Sequence, residues 1–240
     1  MTVKPYKESE DQKKQQVEQM FDNIAHKYDF LNHFLSLGID KLWRRKAIRM
    51  LSVFPHNSIL DVATGTGDFA VAATRLSPAK ITGFDLSANM IEVGRQKVEK
   101  LGLQNIIQFV KGDSENMPFP DASYDSITVG FGVRNFENLE KGLAEFHRVL
   151  KKDGVAVILE FSRPRYFPMK QFYNFYFLHI LPRVGNKISK DKSAYSYLPE
   201  SVMAFPDDQD FLGILKKTGF KSATQKRLTF GIATIYLAQK

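Results

Sequence analysis

Apolar positions along the chain recur with two periods, one helical and one strand-like, and the order in which they alternate lays out an architecture. From Glu10 to Lys27 the residues Val17, Met20, Phe21 and Ile24, continued by Tyr28, fall at i, i+3, i+4, i+7 spacing and predict an amphipathic helix. A second helix is predicted after Asp40, with Leu42, Trp43, Ile48 and Leu51 facing inward. Short apolar runs then alternate with helical patterns: a strand to Asp61, a helix from Asp68 to Leu76, strand 80–85, helix 87–101, strand 106–110, strand 125–131, helix 138–150 and strand 154–161. Such alternation predicts a mostly parallel sheet with helices on both faces. Ser87 is placed to cap the helix that follows it. After a helical stretch from Asp208 to Thr218, two strand-like runs near 222–228 and 230–237 follow one another with no helix between them. Strands joined without a crossover pair antiparallel, so the sheet is expected to end in a hairpin.

The 240 residues suit one α/β domain with an appendage. Residues 1–52 are expected to form an N-terminal helical cap over a domain spanning 53–240, with an insertion at about 163–205. Within that insertion the segment from Pro168 to Val184 is apolar around most of a helical circumference, so a helix there needs cover on several sides. A long apolar ligand tail, a membrane surface or a partner subunit in a homodimer would each supply it.

The densest chemical signal lies at Ser58-Ile59-Leu60-Asp61-Val62-Ala63-Thr64-Gly65-Thr66-Gly67-Asp68-Phe69-Ala70, followed by Ile81-Thr82-Gly83-Phe84-Asp85. An apolar run ending in a carboxylate, a tight glycine turn, a helix and a second apolar run closing on Asp85 describe a nucleotide-cofactor pocket on a βαβ unit. Side chains at the glycines would hold the cofactor off the backbone N–H groups at the helix start. Asp85 lies twenty positions beyond Gly65, which suits a carboxylate accepting ribose hydroxyls. The loop also satisfies the relaxed G-x-G-x-x-G/A pattern, so on this segment alone a dehydrogenase remains open.

Further motifs narrow the choice. Gly112-Asp113-Ser114-Glu115-Asn116-Met117-Pro118-Phe119 follows the third apolar run and precedes the fourth, Tyr124 to Val129. This order resembles the class I S-adenosylmethionine-dependent methyltransferases, a Rossmann-like α/β fold with a mostly parallel seven-stranded sheet and an antiparallel C-terminal hairpin. Tyr28-Asp29-Phe30-Leu31-Asn32-His33-Phe34-Leu35-Ser36 with Trp43, Phe131-Gly132-Val133-Arg134-Asn135, Arg148-Val149-Leu150-Lys151 with Gly154 and Glu160-Phe161-Ser162, and Tyr195-Ser196-Tyr197-Leu198-Pro199-Glu200-Ser201 are similar to motifs of the ubiquinone/menaquinone biosynthesis C-methyltransferase family. The resemblance runs from about Val17 to Leu237. Five positions depart from it: Ala63 replaces the first of three alternating glycines, Asp40 a histidine, Lys152-Asp153 a proline or valine and then a glycine, and Gly130 a serine.

The resemblance implies S-adenosylmethionine as cofactor and a prenylated quinol as substrate, with Asp113 and Ser114 at the adenine. Thr66 and Asp85 are expected to contact the cofactor, and Asp61, Gly65 and Gly67 to shape its methionine end. Arg134 and His33 are the candidates for catalysis, Arg134 to polarise a quinol oxygen and His33 as a base near its ordinary pKa. Tyr28, Asn135, Tyr195 and Tyr197 are substrate candidates. A salt bridge for Arg134 and a packing role for His33 are the competing expectations. No metal is expected, and the absence of cysteine excludes thiolate sites. Conversion of demethylmenaquinol to menaquinol is the expected reaction. Benzoquinol methylation for ubiquinone, methylation of another small molecule, and a non-catalytic RNA-binding protein of the same fold are the alternatives.

Charge adds a location. The net charge of +8 falls in the last third: residues 151–240 hold 15 Lys and Arg against 7 Asp and Glu, while residues 1–150 balance at 19 each. Between Arg163 and Lys192 the basic residues alternate with Tyr166, Phe167, Phe172, Tyr173, Phe175, Tyr176 and Phe177. Basic residues bracketing aromatic rings suit the headgroup layer of a membrane, and also nucleic acid or a plain solvated face. No apolar run approaches the roughly 20 residues that span a bilayer, and the first residues lack the apolar core of a secretory signal. A cytoplasmic protein is expected, peripheral on the inner face of the membrane through residues 163–192.

Overall fold

In the computed structural model, residues 3–36, 38–176 and 193–240 are described, apart from the side chains of residues 27, 30–35 and 193–195. The strands are β1 (Ser58–Val62), β2 (Lys80–Asp85), β3 (Ile107–Lys111), β4 (Tyr124–Gly130), β5 (Leu150–Phe161), β6 (Ser222–Leu228) and β7 (Ala233–Gln239). They form one sheet in the order β3-β2-β1-β4-β5-β7-β6. All neighbours pair parallel except that β7 runs antiparallel to both β5 and β6. The expected hairpin is present, and its second strand inserts between β5 and β6.

Burial explains the sequence pattern. Ile59, Leu60, Asp61 and Val62 are inaccessible in succession, because β1 lies mid-sheet with both faces covered. β6, at the edge, alternates exposed and half-buried positions. The helices are α1 (Lys13–Leu35), α2 (Ile39–Leu51), α3 (Asp68–Ala73), α4 (Ala88–Lys100), α5 (Leu139–Val149), α6 (Met169–Phe175), α7 (Ser193–Ala204) and α8 (Gln209–Lys217). On one face Leu143, Phe146, Phe211 and Leu215 of α5 and α8 pack on Leu60, Val62, Ile127 and Val129. On the other, Trp43, Ala47, Ile48 and Leu51 of α2 join Phe69, Ala70 and Ala73 of α3 over Ile59, Ile81 and Val157. Gly67, Gly83 and Gly94 surround the Phe109 ring, and a methyl on any of them would lie within about 3.0 Å of it, so the ring occupies the space three side chains forgo.

Four expectations are corrected. α1 continues past Lys27 to Leu35, beyond the point where regular apolar spacing ends. Leu42 faces outward, because Asp40 and Arg44 pair on the buried side of α2 and take its place. β5 begins at Leu150 instead of 154, and β7 at Ala233 instead of 230, because Thr229, Phe230 and Gly231 all adopt positive φ and form a turn. The aromatic segment supplies α6 in its described part, and residues 177–192 lie outside the described residues.

Candidate active site

Loops leaving the carboxyl ends of β1 to β4 surround a cavity whose other wall is α1. Gly65 has φ +56°, and a methyl there would meet only Tyr28, at 3.8 Å, so the turn leaves its surface bare toward the cavity. Asp85 closes β2. Its Oδ2 accepts from the Gly65 N–H at 2.7 Å and its Oδ1 from the Ser87 N–H at 2.9 Å. Burial pushes its carboxyl pKa up, against the pull of those N–H groups. Ser87 caps α4 by accepting from the Met90 N–H at 3.1 Å. Asp113 follows β3; its Oδ1 accepts from the Glu115 N–H at 2.9 Å, and its Oδ2 pairs with Lys14 Nζ at 2.6 Å.

Helix α1 is fastened to all four loops. Lys13 Nζ donates to the carbonyls of Arg134 and Phe136 at 3.1 and 2.8 Å. Lys14 reaches Asp113, and Asp22 Oδ1 accepts from Ser87 Oγ at 2.5 Å and from the Asn89 N–H at 3.1 Å. Asp29 Oδ1 accepts from Thr66 Oγ1 at 2.5 Å, and Lys97 Nζ lies 2.5 Å from Asp29 Oδ2. Val17, Phe21 and Tyr28 turn their apolar surfaces into the cavity beneath.

The structure therefore brings Gly65, Asp85, Asp113, Ser114, Tyr28 and Asn135 to one cavity. Thr66, Gly67 and Asp61 are not among the residues that line it. Thr66 is buried against Asp29 and Lys97. Asp61 turns both carboxylate oxygens to the protein: Oδ1 accepts from Thr128 Oγ1 at 2.6 Å, and Oδ2 from Thr64 Oγ1 at 2.6 Å and the Ala70 N–H at 3.1 Å. Burial pushes its pKa up to about 6. Asp61 thus ties β1, β4 and the start of α3 together and shapes the glycine turn from behind.

Arg134 also lies behind the lining. Its Nη1 pairs with Glu160 Oε1 at 2.8 Å, with the two side chains 7% and 0% exposed, and it donates to the Phe131 carbonyl as well. Burial raises the Glu160 pKa while Arg134 opposes the rise. The salt-bridge expectation for Arg134 holds, yet its Nε is buried without an acceptor among the described residues. Asn135 Oδ1 accepts from the Tyr197 hydroxyl at 3.1 Å, and burial pushes that hydroxyl up to about 12. Phe131 lines the cavity and stacks on Phe161 with ring centroids 4.4 Å apart, and Trp43 lies 6.1 and 6.3 Å from the two rings. The side chains of His33 and Tyr195 lie outside the described residues.

Lys14, Glu115 and Phe131 are site residues that sequence reasoning did not single out. A signal existed for the first: Lys14, Glu18 and Asp22 recur every fourth position, a polar stripe beside the apolar one. Among the family departures, a side chain at Gly130 would put its Cβ 3.0 Å from Phe69, which gives a steric reason for glycine there.

The sequence profile of the ubiE/COQ5 methyltransferase family matches residues 9–240. The chain belongs to that family. It is 51% identical over 239 residues to a demethylmenaquinone methyltransferase of Bacteroides fragilis, covering 99% of this chain and 97% of the relative. It is 47% identical over 231 residues to a ubiquinone/menaquinone biosynthesis C-methyltransferase of Geotalea daltonii, covering 95% and 98%. Among solved structures, a SAM-dependent methyltransferase from Thermotoga maritima superposes with TM-score 0.65 at 20% identity, covering 92% and 99%. The fold is thus that of the class I methyltransferases, and this ubiE/COQ5 member is an S-adenosylmethionine-dependent enzyme. The [4+2]-cyclase SpnF shares the architecture with TM-score 0.63 at 15% identity, covering 95% and 96%, so fold alone does not name the reaction.

Proposed function

We propose that this enzyme methylates a ring carbon of demethylmenaquinol to give menaquinol and S-adenosylhomocysteine. The relatives named for that substrate support it, as does one observation above the rest: Phe131 is shared between the cofactor cavity and the Phe161–Trp43 aromatic cluster, so a flat ring has an apolar wall beside the cofactor.

The residues present fit the cofactor. A carboxylate offers about four lone pairs, and the N–H groups of Gly65, Ser87 and Leu86 engage three on Asp85, which leaves an acceptor for a ribose hydroxyl. Asp113 likewise keeps acceptor capacity for the adenine amine, with Ser114 beside it. Bound S-adenosylmethionine supplies an electrophilic methyl on a sulfonium. The chain must hold a reduced ring in line with it, exclude water and favour electron release from a ring oxygen. Proximity and orientation of this kind contribute about 7–11 kcal/mol in well-oriented systems. Residues 1–52 serve as the cap that keeps water out, through α1. Arg134, behind the Phe131 wall, is the residue we assign to favour the charge on the quinol oxygen through its guanidinium, because a phenol of pKa about 10 needs its developing anion stabilised at neutral pH. Glu160 holds that guanidinium in place, while Tyr28, Asn135 and Tyr197 flank the ring. A polyprenyl tail goes with a peripheral position on the membrane through residues 163–192, of which 163–176 are described.

The test is methyl transfer from labelled cofactor to demethylmenaquinol, its oxidised quinone and the benzoquinol of ubiquinone synthesis. Labelled menaquinol with no label in the oxidised quinone is expected, and transfer to the benzoquinol alone would replace the substrate. Asp85→Ala should weaken cofactor affinity by at least tenfold in calorimetry, since hydrogen bonds to a charged group contribute about 1.5–3 kcal/mol each.

A further inference from the structure

We infer that an anionic lipid bilayer docks on a face wider than the aromatic insertion, one that includes the outer side of α2 and the turn between β6 and β7; this rests on the polyprenyl-quinol reading of the site. Large apolar side chains that solvent reaches are concentrated at the carboxyl end of the sheet. Leu42 of α2 is 58% exposed, Phe230 of the turn 78%, and Tyr166 and Phe167 before α6 are 81% and 82%. Phe172 and Phe175 of α6 join them.

These segments are one surface because contacts bind each to the next. Trp43 Nε1 of α2 donates to Thr229 Oγ1 at 2.7 Å, and Arg227 Nη2 of β6 donates to the Arg163 carbonyl after β5 at 2.6 Å. Ile232 from the turn packs with Phe161 and the α6 residue Tyr173. All three segments thus rim the Trp43–Phe131–Phe161 cluster beside the cofactor cavity.

The charge on this rim identifies the occupant. Lys41, Arg45 and Arg49 lie along the exposed side of α2, and Lys46 is half-buried beside them. Lys226 stands beside Lys46 from β6, and its charge, followed by burial and the charge of Arg49, lowers the Lys46 pKa. None of these five cations pairs with a carboxylate among the described residues. Adjacent unpaired cations are relieved by an anionic surface, and protruding Leu42, Phe230 and Phe167 suit the acyl boundary beneath the headgroups. A two-fold contact with another copy would bring the Lys46–Lys226 pair against its like. Nucleic acid would use the cations and stack on the exposed rings but has no use for protruding Leu42, which an acyl boundary takes up. No described helix is long and apolar enough to cross a membrane, so the contact is with its surface.

The full chain is to be floated with phosphatidylcholine vesicles with and without phosphatidylglycerol. Binding is expected only with the anionic lipid. The pair Lys46→Gln and Lys226→Gln should weaken it on the order of thirtyfold, at about 1 kcal/mol per surface cation. Phe230→Ser should weaken it further than Val53→Ser, an equally exposed change at the opposite end of α2. Methyl transfer to a short-tailed quinol in solution should stay at the wild-type level in these variants. Wild-type protein that methylates quinol yet ignores anionic vesicles would overturn the proposal, as would unchanged binding by the lysine pair. So would a dimer that protects Phe230, or a preference of the pair for RNA. Vesicle binding through this face with no methylation of any quinol would uphold the surface and remove the substrate reading.

Discussion

Ala63 stands where the family resemblance expects glycine, and its φ of +49° lies in the left-handed region that costs a residue with a Cβ about 1–2 kcal/mol. Asp153 repeats the situation at φ +62°, again where glycine is expected. The Ala63 methyl also fixes its neighbour, since a Cβ on Gly132 would lie 2.5 Å from it. Gly132→Ala should therefore destabilise the fold by about 1–3 kcal/mol, and Ala63→Gly in the same chain should recover part of the loss. A denaturant double-mutant cycle reads the coupling, and strict additivity would mean that the two positions do not meet. Lys13 carries a different strain. Its ammonium is buried on two carbonyls, and burial, aided by Arg134, lowers its pKa from 10.5 to about 8. A lysine with a depressed folded pKa contributes stability above the unfolded value and loses it as pH falls through the folded one. Between about pH 8 and 10.5 the wild type should thus gain on Lys13→Met by on the order of 3 kcal/mol. Urea midpoints of the two proteins on either side of that window measure it, and a constant gap would show that Lys13 titrates normally.

At the level of elements, β4 and β5 deliver Arg134 and Glu160 to one buried pair, and the pair separates stability from chemistry. Glu160→Gln leaves a buried guanidinium without its counter-charge and should cost about 3–5 kcal/mol. Replacing both residues by leucine should restore most of that stability. On the role proposed for Arg134, methyl transfer should stay lost in the double variant, because the guanidinium charge behind the ring is gone. Recovered transfer would confine the pair to holding the loop. The same elements show where the sequence was legible. Parallel strands buried on both faces read as continuous apolar runs, so β1, β2 and β4 were visible, as was the hairpin from two runs without a helix between. Asp85 stood out by its spacing from Gly65 and Asp113 by the family resemblance alone, and both carboxylates border the cavity. Arg134 was visible as a residue but not as a partner of Glu160, since 26 positions separate them and only the sheet order brings them together. Asp61 looked like a ligand residue for the same reason: its partners Thr128 and Ala70 sit on other elements. Leu42 was misplaced because periodicity assumes a carboxylate such as Asp40 faces water, and the Arg44 partner makes burial tolerable.

Over the whole molecule the sheet and the helix across its loops differ in how they are held. The sheet rests on two continuous apolar cores, whereas α1 relies on a small cluster of Val17, Met20, Ile24 and Ala25 against Met90 and Tyr197, plus polar ties to each loop. Exposed ion pairs such as Lys111–Glu18 contribute little each, typically below about 1 kcal/mol. Local opening free energies run from near zero in such peripheral elements to the global value in the core, so α1 is the part that can part from the cavity while the sheet stays intact. We propose that the cofactor enters past this helix, because α1 residues line the cavity and Lys14 pairs with Asp113. A ligand that binds only the closed form stabilises it by RT ln(1 + [L]/Kd), about 2.7 kcal/mol at a hundredfold excess over Kd. Added S-adenosylmethionine should therefore slow amide exchange in α1 and in the turns at Gly65, Ser87 and Glu115. Exchange in β6 and β7 should hardly change, since neither strand borders the cavity. Asp22→Ala, which removes the tie to Ser87 and Asn89, should speed exchange in α1 without ligand and weaken cofactor binding, while Lys217→Ala, which loses a surface pair with Glu140 far from the cavity, should do neither. Uniform protection across the sheet, or an Asp22→Ala profile identical to wild type, would mean that the helix does not gate the site.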